Sequence, residues 1–135
     1  MRKVLKKFRK VFFLAILLGA VFFALTIIAH GNKKTIIYAL EGRSYHLLVA
    51  KTPEEWEKGL MSIRQKRDFD GMLFVFPEKE VKTFWNKETY LDLDLYWISG
   101  EDVIGKSYLP SIEKTKNITQ VMSPGKVDKV IEIIR

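Results

Sequence analysis

"GMLFVFPEKEVKTFWNKETYLDLDLYW", Gly71 to Trp97, decides how the rest of the chain reads. Its first part, Met72-Leu73-Phe74-Val75-Phe76, has no polar residue on either face, which predicts a strand buried on both sides at the centre of a sheet. Pro77-Glu78 reads as a turn, and "KEVKTFWNK" and "LDLDLYWIS" as the next two strands. In the last of these, Leu91, Leu93 and Leu95 alternate with Asp92, Asp94 and Tyr96, so one face points inward and the other towards solvent. The same alternation sends Phe84 and Trp85 to opposite faces, so that at most one of them enters the core unless both faces are covered.

Working outward, "KTIIYAL" and "RSYHLLVA" flank Glu41-Gly42, and a glycine there suits the positive φ of a two-residue hairpin. Tyr45, Leu47 and Val49 share one face of the second strand, with His46, Leu48 and Ala50 on the other, so both are at least partly covered. The period then changes. In "KTPEEWEKGLM", Thr52 is placed to cap, Pro53 fits the first helical position, Glu55 completes a capping box and Gly59 suits the stop. Downstream, "SGED" and Pro124-Gly125 are turns on either side of "VIGKSYL" and ahead of "KVDKVIEII". The pattern predicts a mainly β (α+β) domain over residues 36–135, with about seven strands and one short helix, closed as an antiparallel β-barrel or roll.

The N-terminal part has a different character. Val11 to Ala29 is nineteen residues without a charge, and at about 1.5 Å per helical residue it reaches ~28 Å, close to the ~30 Å hydrocarbon thickness of a bilayer. Arg2, Lys3, Lys6, Lys7, Arg9 and Lys10 precede it, so the positive-inside rule keeps residues 1–10 in the cytoplasm and places the domain outside, on a short tether at 30–35. A cleaved signal peptide would have an apolar region of about 7–15 residues and a small-x-small site, which "TIIAHG" supplies poorly, so length and flanks favour an uncleaved anchor. The expected partner of Val11 to Ala29 is the lipid bilayer. The location is the cell membrane, as a single-pass protein.

This division changes what the net charge of +7 means. Six of the 23 basic residues precede the apolar run, leaving 17 against 16 acidic residues in the remainder, a net of +1. A nucleic-acid reader needs a basic face on the folded domain itself, and that surplus is gone. With no cysteine there is neither a disulfide framework nor thiolate chemistry.

"TPEEWEKGLM", "GMLFVFP", "FWNKETYLDLDLYWI" and "SPGKVDKVIEI", in that order and spacing, resemble the prokaryotic family called domain of unknown function 192, from about Leu47 to Ile134. The resemblance implies a compact, mainly β fold with a short helix, commonly secreted or membrane-attached, and no established activity. Thr52, Glu55, Gly59, Leu60 and Met61 match its first block, Gly71 to Pro77 its second, and Phe84, Trp85, Lys87, Thr89, Leu93 and Asp94 its third. The departures are Trp56 and Ile63 at positions where the family has arginine, and Asn86, Glu88 and Asp92 in place of Met, Asn and Pro.

Within this frame Trp85, Lys87, Thr89 and Asp94 are the candidate ligand-binding residues, because an aromatic plane beside a cation and a carboxylate can stack on and hydrogen-bond a small polar ligand or envelope component. The plainer reading makes the aromatics core residues and Lys87 and Asp94 a surface pair. Asp94 with Lys87 or Asp92 could instead serve an envelope-polymer hydrolase or transferase, but a strand sets the two aspartates ~7 Å apart, too far to share a proton. A structural partner of another membrane protein is the third reading. "DFDG" at Asp68 to Gly71 lacks the glutamate that closes a calcium loop and reads as a turn, and neither His30 nor His46 has a partner at metal-binding spacing. No serine has a nucleophile-elbow context, so no catalytic residue, metal or cofactor is assigned.

Overall fold

The computed structural model describes residues 35–135. The basic flank, the apolar run Val11 to Ala29 and the tether as far as residue 34 lie outside the described residues, among which no helix is long and apolar enough to cross a membrane. Among the described residues eight strands form: β1 Thr35–Leu40, β2 Arg43–Ala50, β3 Gly71–Glu80, β4 Thr83–Trp85, β5 Leu93–Ser99, β6 Asp102–Leu109, β7 Gln120–Met122 and β8 Val127–Ile134. Two short helices accompany them, α1 Pro53–Lys58 and α2 Ile112–Thr115.

Local chemistry explains the elements well. Glu41 and Gly42 take φ values of 50° and 77°, so both central residues of the β1–β2 turn have the positive φ that matches strand twist, and Leu40 pairs with Arg43 across it. At α1, Glu55 N–H donates to Thr52 Oγ1 at 3.3 Å while Thr52 N–H donates to Glu55 Oε2 at 3.1 Å. The capping box is complete, and the Gly59 N–H closes the helix on the Glu55 carbonyl at 2.9 Å.

The strands do not close into a barrel. Six of them make an open sheet in the order β1-β2-β3-β8-β5-β6, and β4 and β7 form a separate two-stranded ribbon. The expectation of an antiparallel barrel fails because β2 and β3 run parallel. A parallel neighbour needs a long crossover, and the segment carrying α1 provides it, leaving β1 and β6 as unjoined edges. The expected turn at Pro77 is also absent: β3 continues to Glu80, and its register against β8 shifts between Val75 and Glu80. Proline removes one ladder donor, which a bulge tolerates.

Burial on both sheet faces follows from this order. Leu48, Phe74, Leu95, Trp97, Val130 and their neighbours form the main core under α1 and the ribbon. Leu47, Leu73, Ile98 and Ile131 form a smaller cluster on the opposite face, shielded by Tyr38, Tyr45 and Tyr96. Met72 to Phe76 is thus the buried central strand expected of it, and Phe84 enters the core edge-on to Phe74 at 4.9 Å and to Trp97 at 5.7 Å.

Candidate functional site

The segment after β4 is held by a side chain rather than by a ladder. Asn86 is fully buried, donating through Nδ2 to the Pro110 carbonyl at 2.9 Å and Thr115 Oγ1 at 2.8 Å, while its Oδ1 accepts the Thr119 N–H at 2.7 Å. It ties β4 to both ends of α2, so this departure from the family pattern is a structural staple. Glu88 sits at φ 51°, in the left-handed region that asparagine tolerates better, and its carbonyl accepts the Ser62 N–H at 2.9 Å. Asn86→Ala leaves several buried polar groups unpaired and is expected to cost about 2–3 kcal/mol, read as a lower urea midpoint at unchanged m.

The four candidate residues divide into two places. Trp85 is 39% exposed, and the Lys87 ammonium lies 5.4 Å from its ring centroid. Thr89 is buried, donates to the Lys87 carbonyl at 3.2 Å and lines the same cleft as Trp85. Asp94 lies elsewhere. It accepts from Arg135 Nε at 3.0 Å and borders an open groove of about 250 Å³ with Tyr96, Lys106, Ser107 and Tyr108. Every charge in that groove has a protein partner, since Lys106 donates to Glu41 at 2.6 Å.

Asp92 is occupied as well. Its Oδ1 accepts the Ser111 N–H at 2.9 Å, and its Oδ2 is bound by the Lys114 ammonium. Burial pushes this carboxyl up, but the Lys114 hydrogen bond and the Ser111 N–H outweigh it and hold the group below its usual value. Lys114 is raised in return, first through its bond to Asp92. The two aspartates are neutralised by Lys114 and Arg135, and no ion pair joins Lys87 to either of them among the described residues.

The residue that sequence reasoning missed is Glu132. It stands on β8 between Val130 and Ile134, opposite Met72 of β3 and Leu95 of β5, all four belonging to the main core. It is 4% exposed, and no charge or hydrogen bond among the described residues acts on its carboxyl. Every sealed side-chain polar atom in the domain has a partner, so the Glu132 oxygens must reach open space. That space is a cleft of about 20 Å³, lined also by Trp56, Gly59, Phe84, Trp85 and Thr89. Burial pushes the carboxyl up from 4.5 to about 8, so it is mainly protonated at neutral pH. Trp56, standing at a position where the family resemblance expects arginine, cannot relieve it. Its ring lies 5.1 Å from Phe76, and its indole N–H donates to the Ala50 carbonyl at 3.2 Å. A signal was present in "KVIEII": apolar neighbours on both sides of Glu132 mark a strand covered on both faces, which leaves a glutamate nowhere to point but inward.

Two solved structures share this fold. A protein of Sinorhizobium meliloti, described as a candidate transcription regulator, is 30% identical, with a TM-score of 0.58 over 74% of this chain and 78% of its own. A protein of unknown function from Novosphingobium aromaticivorans is 20% identical, again with a TM-score of 0.58, over 75% of this chain and 81% of its own. No curated protein matches the chain. Residues 36–135 match the model of DUF192, described as "Uncharacterized ACR". With the four sequence blocks and an open mixed sheet in place, the chain belongs to the DUF192 family.

Proposed function

We propose that this chain is a membrane-anchored, extracytoplasmic binding module, held to the bilayer by Val11 to Ala29 and binding a small polar ligand or envelope component at the cleft beside Trp85 and Thr89. One observation carries the binding half of this reading. A carboxyl with no partner among the described residues opens on an aromatic-lined cleft, whereas both charges in the Asp94 groove, Asp94 and Lys106, are already paired. The description of the Sinorhizobium protein as a regulator gains no support here, because the part of the chain after the apolar run carries a net of only +1.

A panel of envelope components, read by thermal unfolding of the full chain, tests binding. At a hundredfold excess over Kd a true ligand stabilises by about 2.7 kcal/mol, and Trp85→Ala should abolish the gain. A panel in which nothing raises the Tm would end this reading. Topology is tested separately: protease added to intact cells or protoplasts is expected to remove residues 36–135, and full protection would reverse the orientation. A second reading, a structural partner of another membrane protein, is favoured by the exposure of Val81, Met122 and Ile118 around the β4–β7 ribbon.

A further inference from the structure

The Glu132 cleft combines three properties that together specify a chemistry. Its floor is a carboxyl withdrawn from water and, among the described residues, left without a donor. A buried carboxylate without a partner is costly, and the group that relieves it best is a cation carrying hydrogen-bond donors. The cleft lining includes the rings of Trp56, Phe84 and Trp85, and aromatic rings attract cations through their quadrupole. The volume, about 20 Å³, holds a single group the size of a water molecule. An NH₃⁺ head has that size, while a guanidinium or a trimethylammonium does not.

We propose that the cleft is a receptor for an aliphatic primary ammonium group, with Glu132 as its counter-ion, Trp56, Phe84 and Trp85 as its apolar walls and Thr89 as an additional oxygen acceptor at its edge. This rests on the binding-module reading and gives it a ligand class. The ammonium can belong to a free small amine or to the tip of a lysine side chain, since both present the same head on a narrow apolar stem. Thr89 donates its hydroxyl hydrogen to the Lys87 carbonyl at 3.2 Å, which leaves its oxygen as an acceptor only. The charged groups at the rim are Glu57 and Lys58 of α1, one of each sign, and Lys87 stands on the Trp85 wall with its ammonium 5.4 Å from the ring centroid, while β3 and β5 present Met72 and Leu95 beside Glu132 and the ribbon side presents Phe84, Trp85 and Thr89.

Binding is coupled to proton release. Glu132 must give up its proton to pair with the ammonium, whereas an amine like that of lysine keeps its charge to about pH 10. With the free carboxyl titrating at about 8, the affinity should be about tenfold higher at pH 9 than at pH 7.

The test titrates the full chain with methylammonium, with the methylamide of Nα-acetyl-lysine and with tetramethylammonium, following the Glu132 carboxyl carbon and the Trp85 indole by NMR. The expected result is that methylammonium shifts the Glu132 titration downward and binds about tenfold more tightly at pH 9 than at pH 7. Tetramethylammonium should bind at least tenfold more weakly, and Glu132→Gln should weaken methylammonium at least tenfold. Equal binding of the lysine derivative assigns the site to a lysine tip, and its exclusion to a free amine. Indole shifts that persist in Glu132→Gln, or equal binding of tetramethylammonium, would overturn the ammonium site while leaving the binding module intact. A carboxyl that keeps its titration in all three titrations overturns the proposal too, as a cleft that holds only water. The wild-type carboxyl signal decides this even where Glu132→Gln folds poorly.

Discussion

Glu132→Gln is expected to stabilise the protein at pH 9 by about 3–5 kcal/mol while changing it little near pH 4.5. The Glu132 carboxyl sits in the main core with no partner among the described residues, and burial raises it from 4.5 to about 8. Below 4.5 it is protonated whether the chain is folded or not, and its contribution is fully present. Between 4.5 and about 8 the unfolded chain releases the proton and the folded one keeps it, so stability falls by about 1.4 kcal/mol per pH unit. Above about 8 the folded protein ionises as well, and the loss levels off. Glutamine has nearly the same shape and no charge to desolvate, so the difference between the two proteins should grow across this window and then stay flat. Contact with water in the cleft relieves part of the cost, which is why the expectation lies at or below the full ~5 kcal/mol. Urea unfolding of both proteins from pH 4.5 to 9 measures it, and a difference that stays constant with pH would show that Glu132 is not buried as a neutral acid.

Gly71→Ala should be the most damaging single methyl in the domain, at about 4 kcal/mol or more. A Cβ at Gly71 would lie 1.8 Å from the Glu132 carbonyl oxygen, 2.9 Å from its carbonyl carbon and 3.1 Å from Ile133 Cα. These are backbone atoms of β8, so no side chain can swing aside. Relief requires β3 and β8 to separate where Gly71 pairs with Ile133, and β8 is locked on its other edge to β5. Gly42→Ala is the control. Its Cβ would meet nothing within 4 Å, so only the positive φ of 77° counts against it, at about 1 kcal/mol. Thermal unfolding of the two variants side by side separates a steric cost from a conformational one, and equal Tm values would remove the close-approach argument.

Gly71 marks the limit of reading from sequence. It opens the buried run that the apolar pattern picks out, but only the register against β8 explains why that position rejects even alanine. Asp94 shows the same limit. Sequence neighbourhood groups it with Trp85, Lys87 and Thr89, whereas β5 carries it to a groove shared with Tyr96 and Tyr108, where Arg135 binds it. Asn86, counted as a lost family position, becomes a buried staple because α2 and the segment before β7 fold onto it from residues 24 to 33 positions away. Pro77, read as a turn from its local preference, is absorbed into β3 because the neighbouring strand tolerates a bulge there.

The amino-acid sequence alone determined the features that a few adjacent residues control: the Glu41-Gly42 hairpin, the Thr52–Glu55 capping box and the two-sided burial of Met72 to Phe76. Backbone dihedral preferences, capping hydrogen bonds and alternation act over one to four residues, so their outcome is written locally. Tertiary structure alone decided that β2 and β3 run parallel, that β8 enters between β3 and β5, and that a glutamate from β8 meets Trp56, Trp85 and Thr89 in one cleft. Those outcomes depend on which distant strands pair and in what register, a choice made by burying the whole apolar surface at once rather than by any one segment's preference.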